Sequence, residues 1–173
     1  MIGTILNNLA RFVVLILLQT LLLDHVDLAN GWVVPYLYVL SLLMLPLELP
    51  LWAALFLGFG TGLVMDLFSS TPGLHATACT VMMYGRALML RALAPREGYD
   101  QQDRATITRM GLAWFVTYAG VLILIHHLVL FFLEVYRFSG APVTLARAMG
   151  SASATLLLCL LVQLLVSRQA RPR

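Results

Sequence analysis

The chain has 173 residues, of which 61% are hydrophobic and 11% charged, with a mean hydropathy of +0.90. A soluble domain of this length needs far less apolar surface, and long runs nearly free of charge read as membrane spans. The net charge of +3 rests entirely on arginine, there being no lysine. It is too small to mark a nucleic-acid surface.

Residues 5–23 form the first expected span, with Asn7, Asn8 and Arg11 ahead of an apolar run. A basic start before a short apolar stretch imitates a signal peptide. The sequence that follows, Asp24-His25-Val26-Asp27, is not a small-residue cleavage site, so a retained helix is expected. His25 between two aspartates reads as a solvated loop. The second span is expected over residues 32–47, with Pro35 in its first turn, where a missing N–H costs little. Pro46 and Pro50 then bracket Glu48 in a short, stiff connection.

The third span, residues 51–68, carries Gly58, Gly62 and Asp66 at four-residue spacing, which places them on one helix face. Glycines so spaced let a neighbouring backbone approach closely, so the carboxylate should meet packed protein and not lipid. Nine Leu, Phe and Val residues in this span, each favouring insertion by roughly 0.3–0.6 kcal/mol, offset a carboxylate that costs about 2.5–3.5 kcal/mol. A Ser-Ser-Thr-Pro-Gly turn ending at Gly73 leads to the fourth span, residues 74–93. His75, Cys79, Met82 and Arg86 share one face of it, and Arg86 and Arg91 are expected to snorkel to the nearer interface.

Residues 94–108 are the only substantial polar segment. The fifth span covers residues 109–132, with Thr117, Gly120, Leu124, His127 and Glu134 expected to face inward. The sixth covers residues 142–166, where Ala146, Gly150 and Ala154 form a second small-residue seam beside Arg147, Ser151 and Thr155. Cys79 and Cys159 both fall inside spans and read as small buried side chains.

The expectation is therefore a single all-α polytopic membrane domain over residues 1–173, with six transmembrane helices and both termini on one side. With the termini cytoplasmic, Arg11, Arg91, Arg96, Arg104, Arg109, Arg168, Arg171 and Arg173 fall at the cytoplasmic face and Arg137 alone outside. Trp52 and Trp114 then lie at the inner interface, with Trp32 and Tyr136 at the outer one.

On that topology Asp66, His75, His126, His127 and Arg147 come to similar depth in the outer third. Such groups are costly and usually face one another or a wet cavity. They could form a binding pocket or proton path, or they could simply fix the helix arrangement. The second is favoured, because further acidic residues to extend a relay are missing. An unpaired buried carboxylate would be driven neutral, so Asp66 is expected to pair with Arg147 or a histidine. Catalytic constellations are missing: Asp66 and Glu48 fall at opposite faces, and a phosphate loop would need a lysine. Adjacent His126 and His127 diverge by about 100° on a helix, so no metal site is expected, nor any cofactor.

The segment GFGTGLVMDLFSSTPGLHATA, preceded by LMLPLELP, resembles the rod shape-determining protein MreD family. The positions that carry the resemblance are Gly58, Gly62, Leu63, Asp66, Gly73 and the alanines from Ala76, with PREGYD over residues 95–100 similar to one branch. The resemblance implies a non-enzymatic scaffold subunit of the cell-elongation machinery in the bacterial inner membrane. It further implies a bitopic MreC-like partner and, through it, MreB, RodA and a class B transpeptidase. The family's fold is similar to the substrate-binding membrane subunits of energy-coupling-factor vitamin transporters, which supplies a rival reading. A roomy polar pocket near the outer face would favour the transporter. A tight core there, with an exposed small-residue or apolar groove, would favour the scaffold, with Gly58, Gly62, Asp66, Gly73, His75, His127, Arg147 and Gly150 as structural or partner-packing residues.

Overall fold

The computed structural model describes residues 2–26, 28–100, 103–136 and 140–169. Asp27, Arg137, Arg171 and Arg173, which entered the loop and topology arguments above, lie outside the described residues. The helices are α1 (Ile2–Leu21), α2 (Val39–Leu43), α3 (Leu51–Ser69), α4 (Leu74–Ala92), α5 (Ile107–Met110), α6 (Leu112–Val135) and α7 (Ala141–Gln169). Among the described residues the only β pairing is an isolated bridge between Leu28 and Val33. Four stretches are long and apolar enough to cross a bilayer: Asn8–His25, Leu51–Ser69, Leu112–Val135 and Ala141–Val166. The fold is that of an all-α protein of membrane type. At 19 residues α4 matches α3 in length, but it is more polar.

Five of the six expected spans correspond to long helices, and the second does not. Residues 32–47 hold only the five-residue α2, roughly 7 Å of helix at about 1.5 Å per residue. Pro35 does not open a helix; it lies in an irregular run before α2. Yet the core of this segment is deeply buried, with Tyr38, Val39, Leu40 and Leu43 wholly enclosed. Irregular backbone is tolerated at membrane depth only where protein surrounds it. Here α4, α6 and α7 do so, and α1 joins them through Gln19. From Val34 to Met44 the segment descends α7 from Ser151 to Gln163, about 18 Å along that helix.

Helix packing is serial, α3 against α4, α4 against α6, and α6 against α7. The α3–α4 contact is built on the two glycines of the expected row. A Cβ at Gly62 would overlap the carbonyl oxygen of His75 and the backbone of Ala76. One at Gly58 would meet the Cys79 carbonyl at 3.1 Å and the Met83 side chain. That seam therefore closes on a helix of the same chain, so Gly58 and Gly62 are unavailable to a partner. The inward faces of the last two long helices are rotated from those expected. On α6 the buried residues include Phe115, Tyr118, Leu122 and Ile123; of the expected row His127 is buried, Gly120 and Leu124 are half-buried, and Thr117 and Glu134 are exposed. On α7 the buried line is Thr144, Ala148, Ser151, Thr155 and Cys159, leaving Ala146 exposed and Gly150 half-buried against Val33. The α4 row of His75, Cys79, Met82 and Arg86 shares one face, as expected, and is buried throughout, Arg86 included, against the expectation that it snorkels.

Candidate functional site

Asp66 organises the α3–α4 turn. Its carboxylate is 5% exposed and accepts four hydrogen bonds: from the Thr71 hydroxyl at 3.1 Å and the amides of Gly73, His75 and Ala76 at 3.1, 2.9 and 3.0 Å. Its backbone carbonyl takes the amides of Ser70 and Thr71 as well. The first amides of any helix lack intrahelical partners, and a carboxylate there also meets the positive end of the helix dipole. Asp66 thus caps α4 from the preceding helix. Gly73 makes this possible by adopting φ +85°, a backbone conformation that side-chain-bearing residues rarely enter. The expected pairing with Arg147 or a histidine ring is absent. Four neutral donors replace a counter-ion, and His75 contributes its amide alone. Arg147 instead reaches Glu134 at 3.4 Å and lies over the Phe131 ring, 4.6 Å from its centroid.

Beneath the turn lies a buried cluster that the sequence placed only in part. Tyr38 Oη stands between His75 Nδ1 at 2.9 Å and His126 Nε2 at 2.8 Å, with Cys79 Sγ at 3.5 Å. A hydroxyl carries one proton, so it donates to one imidazole and accepts from the other. His126 Nδ1 is buried without a partner. A buried N–H left unpaired is rarer than an unpaired acceptor. The favoured arrangement therefore puts the His126 proton on Nε2, donating to Tyr38, which in turn donates to His75. His127 bonds the Ile123 carbonyl through Nδ1 at 2.8 Å and meets the Thr155 hydroxyl through Nε2 at 3.1 Å. Tyr36 packs edge-on to His75 and His126 and tilted against His127. Sequence reasoning overlooked Tyr36 and Tyr38 because they fell within an apolar run taken for an ordinary helix.

Five further polar side chains on the long helices serve the broken segment. Gln19 bonds both sides of its backbone, accepting from the Leu37 amide at 2.7 Å and donating to the Pro35 carbonyl at 3.0 Å. Ser151 and Thr155 accept from the amides of Val34 and Tyr36, each at 3.0 Å. Tyr118 donates to the Leu43 carbonyl at 2.9 Å. Arg86 is 2% exposed and does not snorkel: Nη2 donates to the Leu45 and Pro46 carbonyls at 2.8 and 3.0 Å, and Nε to Tyr118 Oη at 2.9 Å. Each group pairs a donor or acceptor that a regular helix would have satisfied by itself.

Two concavities of more than 500 Å³ border this core. At the end of the bundle holding the α3–α4 turn, a cleft of about 550 Å³ is lined by Asp24, Tyr36, His75, Glu134 and Arg147 among apolar neighbours. Of the five ionisable residues expected at this depth, His75 and Arg147 line it; Asp66 is turned away into its cap. Between α1 and α3 lies a groove of about 540 Å³, almost wholly apolar, with Phe12, Leu42, Phe56, Gly60, Thr61 and Val64 among its walls. Nothing lies within 4 Å of where a Gly60 side chain would begin. Among the described residues, no group of three His, Cys, Asp or Glu side chains is placed to hold a metal ion.

These features define an all-α helical protein of membrane type with a polar core stitched around one irregular segment. No family model, curated protein or solved structure matches the chain.

Proposed function

We propose that this chain is a non-enzymatic scaffold of the bacterial cell-elongation complex in the inner membrane, holding the membrane helix of an MreC-like partner. The reading starts from the resemblance of residues 58–78 to the MreD family. The observation that carries it further is the α1–α3 groove: apolar, open, and floored by Gly60 where a second backbone can come close. In lipid, where burial of apolar surface gives little drive, such close packing supplies association. MreB, RodA and its transpeptidase join through that partner. The proposed architecture has six crossings, α4 and the broken 32–47 segment adding to the four apolar helices, with both termini and residues 94–108 cytoplasmic. Reporter fusions after residue 169 and near Glu97 should then read cytoplasmic, and a periplasmic signal at either place overturns the arrangement.

The test of function pairs two measurements. Cysteines at Phe56, Gly60 or Val64 should crosslink to the bitopic partner, and depletion should round rod-shaped cells. A second reading, a small-molecule-binding transport subunit, is favoured by the polar cleft at Tyr36, His75 and Arg147. Saturable uptake dependent on this chain, with normal cell shape in its absence, would decide for transport.

A further inference from the structure

Among the described residues Arg86 is the most enclosed charge, and its partners are all neutral: one phenol and two carbonyl groups. Among the described residues no carboxylate comes within ion-pairing distance of Arg86 or Arg91. Hydrogen bonds from dipoles orient a guanidinium but leave its net charge uncompensated, and a cation withdrawn from water is stable only with strong compensation. Its bonds use Nε and Nη2, which leaves Nη1 for a further acceptor.

Arg86 also lines a cleft of about 290 Å³ between α4 and the connection into α3, together with Arg91, Ala54, Ala87, Leu90 and Tyr99. Arg91, in the last turn of α4, is exposed at the rim, while Arg86 lies five residues deeper, about 7–8 Å along the helix. Two arginines stepped in depth, with apolar walls between them, match an anion that carries an apolar tail. Guanidinium groups are suited to phosphate geometry. The size is at the lower limit for ligand sites, about 300–1,000 Å³, enough for a headgroup and not for a whole amphiphile. Basic pockets between helices at headgroup depth are a known place for anionic lipids.

We infer that the Arg86–Arg91 cleft binds the phosphate of an anionic phospholipid headgroup. This rests on the membrane character of the fold and is independent of the scaffold reading.

The test uses the full-length chain in a neutral detergent, exposed to equimolar phosphatidylglycerol and phosphatidylcholine, with retained lipid measured by native mass spectrometry. Arg86 also holds the broken segment, so its removal would confound folding with binding. Arg91→Gln, at an exposed position, and Ala87→Phe, which fills the cleft while keeping both charges, are the informative variants. Wild type should favour phosphatidylglycerol, with about fivefold of that preference lost in Arg91→Gln, the effect of one arginine near an anionic headgroup. Ala87→Phe should abolish it, with helix content unchanged by circular dichroism in both variants. Equal retention of the two lipids by wild type, or undiminished preference in both variants, overturns the proposal. Thermal stabilisation by inorganic phosphate that Arg91→Gln removes, without any lipid preference, overturns the lipid source and assigns the cleft to a soluble phosphate.

Discussion

Asp66 shows how a membrane carboxylate can be held without a cation. Its oxygens receive the Thr71 hydroxyl and three amides at the start of α4. Replacing it with leucine strands several buried donors, at about 1–3 kcal/mol each where water cannot reach them. Asp66→Leu should therefore lower the melting midpoint in detergent sharply, while Arg147→Ala, which removes a part-exposed pair with Glu134 and the contact with the Phe131 ring, should cost no more than about 2 kcal/mol. Exchanging the charges of Asp66 and Arg147 should restore nothing. Comparable losses in the two single variants, or rescue by the exchange, would revive direct pairing. Tyr118 gives a second case, since its hydroxyl donates to the Leu43 carbonyl and accepts from Arg86. Tyr118→Phe should destabilise by about 1–3 kcal/mol, because both partners stay buried and lose a bond. A thermal melt indistinguishable from wild type would mean that water replaces the phenol.

The elements divide into those with close-packed seams and those with spare surface, and α3 has both. Gly58 and Gly62 face α4, whereas Gly60, about 200° around the helix from either, opens on the groove toward α1. Gly62→Ala must force the α3–α4 backbones apart, costing at least the roughly 1–3 kcal/mol typical of core overpacking. Gly60→Ala meets open space and should leave the fold unharmed, even gaining slightly from the better helix propensity of alanine. Thermal unfolding of the two variants checks this directly; equal destabilisation would show that the groove is closed in the native protein. Under the scaffold proposal, a bulkier Gly60→Leu should abolish the partner crosslink while the chain still folds. The broken element depends on its neighbours in a different way. Gln19 pairs one amide and one carbonyl of residues 35–37, so Gln19→Leu removes both bonds from a segment with no helical alternative. Loss of folded protein is the expected result, read by protease resistance.

At the scale of the whole molecule, the apolar groove and the polar cleft have different linings and can be blocked separately. Thr20, on the wall of the cleft, can be enlarged to phenylalanine without touching the groove. If the chain is a scaffold, Thr20→Phe should leave cell shape intact while Gly60→Leu does not; if it carries a small molecule, the order reverses.

The membrane class, the five long helices, the α3–α4 turn and the shared face of the α4 row were legible in the chain alone; the burial of Arg86 was not. Each is local: length and apolarity define a span, four-residue spacing defines a face, and Thr-Pro-Gly defines a turn. What residues 32–47 do was not legible, because a short apolar run has the same composition whether it coils into a helix or threads irregularly through a core. Its traces were scattered instead among Gln19, Arg86, Tyr118, Ser151 and Thr155, which supply backbone partners from four other helices. The rotation of α6 and α7 was hidden for a related reason. Those helices are apolar on nearly all sides, so in lipid the hydrophobic pattern no longer separates inside from outside. Which face turns inward was decided by long-range hydrogen bonds and close packing, and these exist only once the chain has folded.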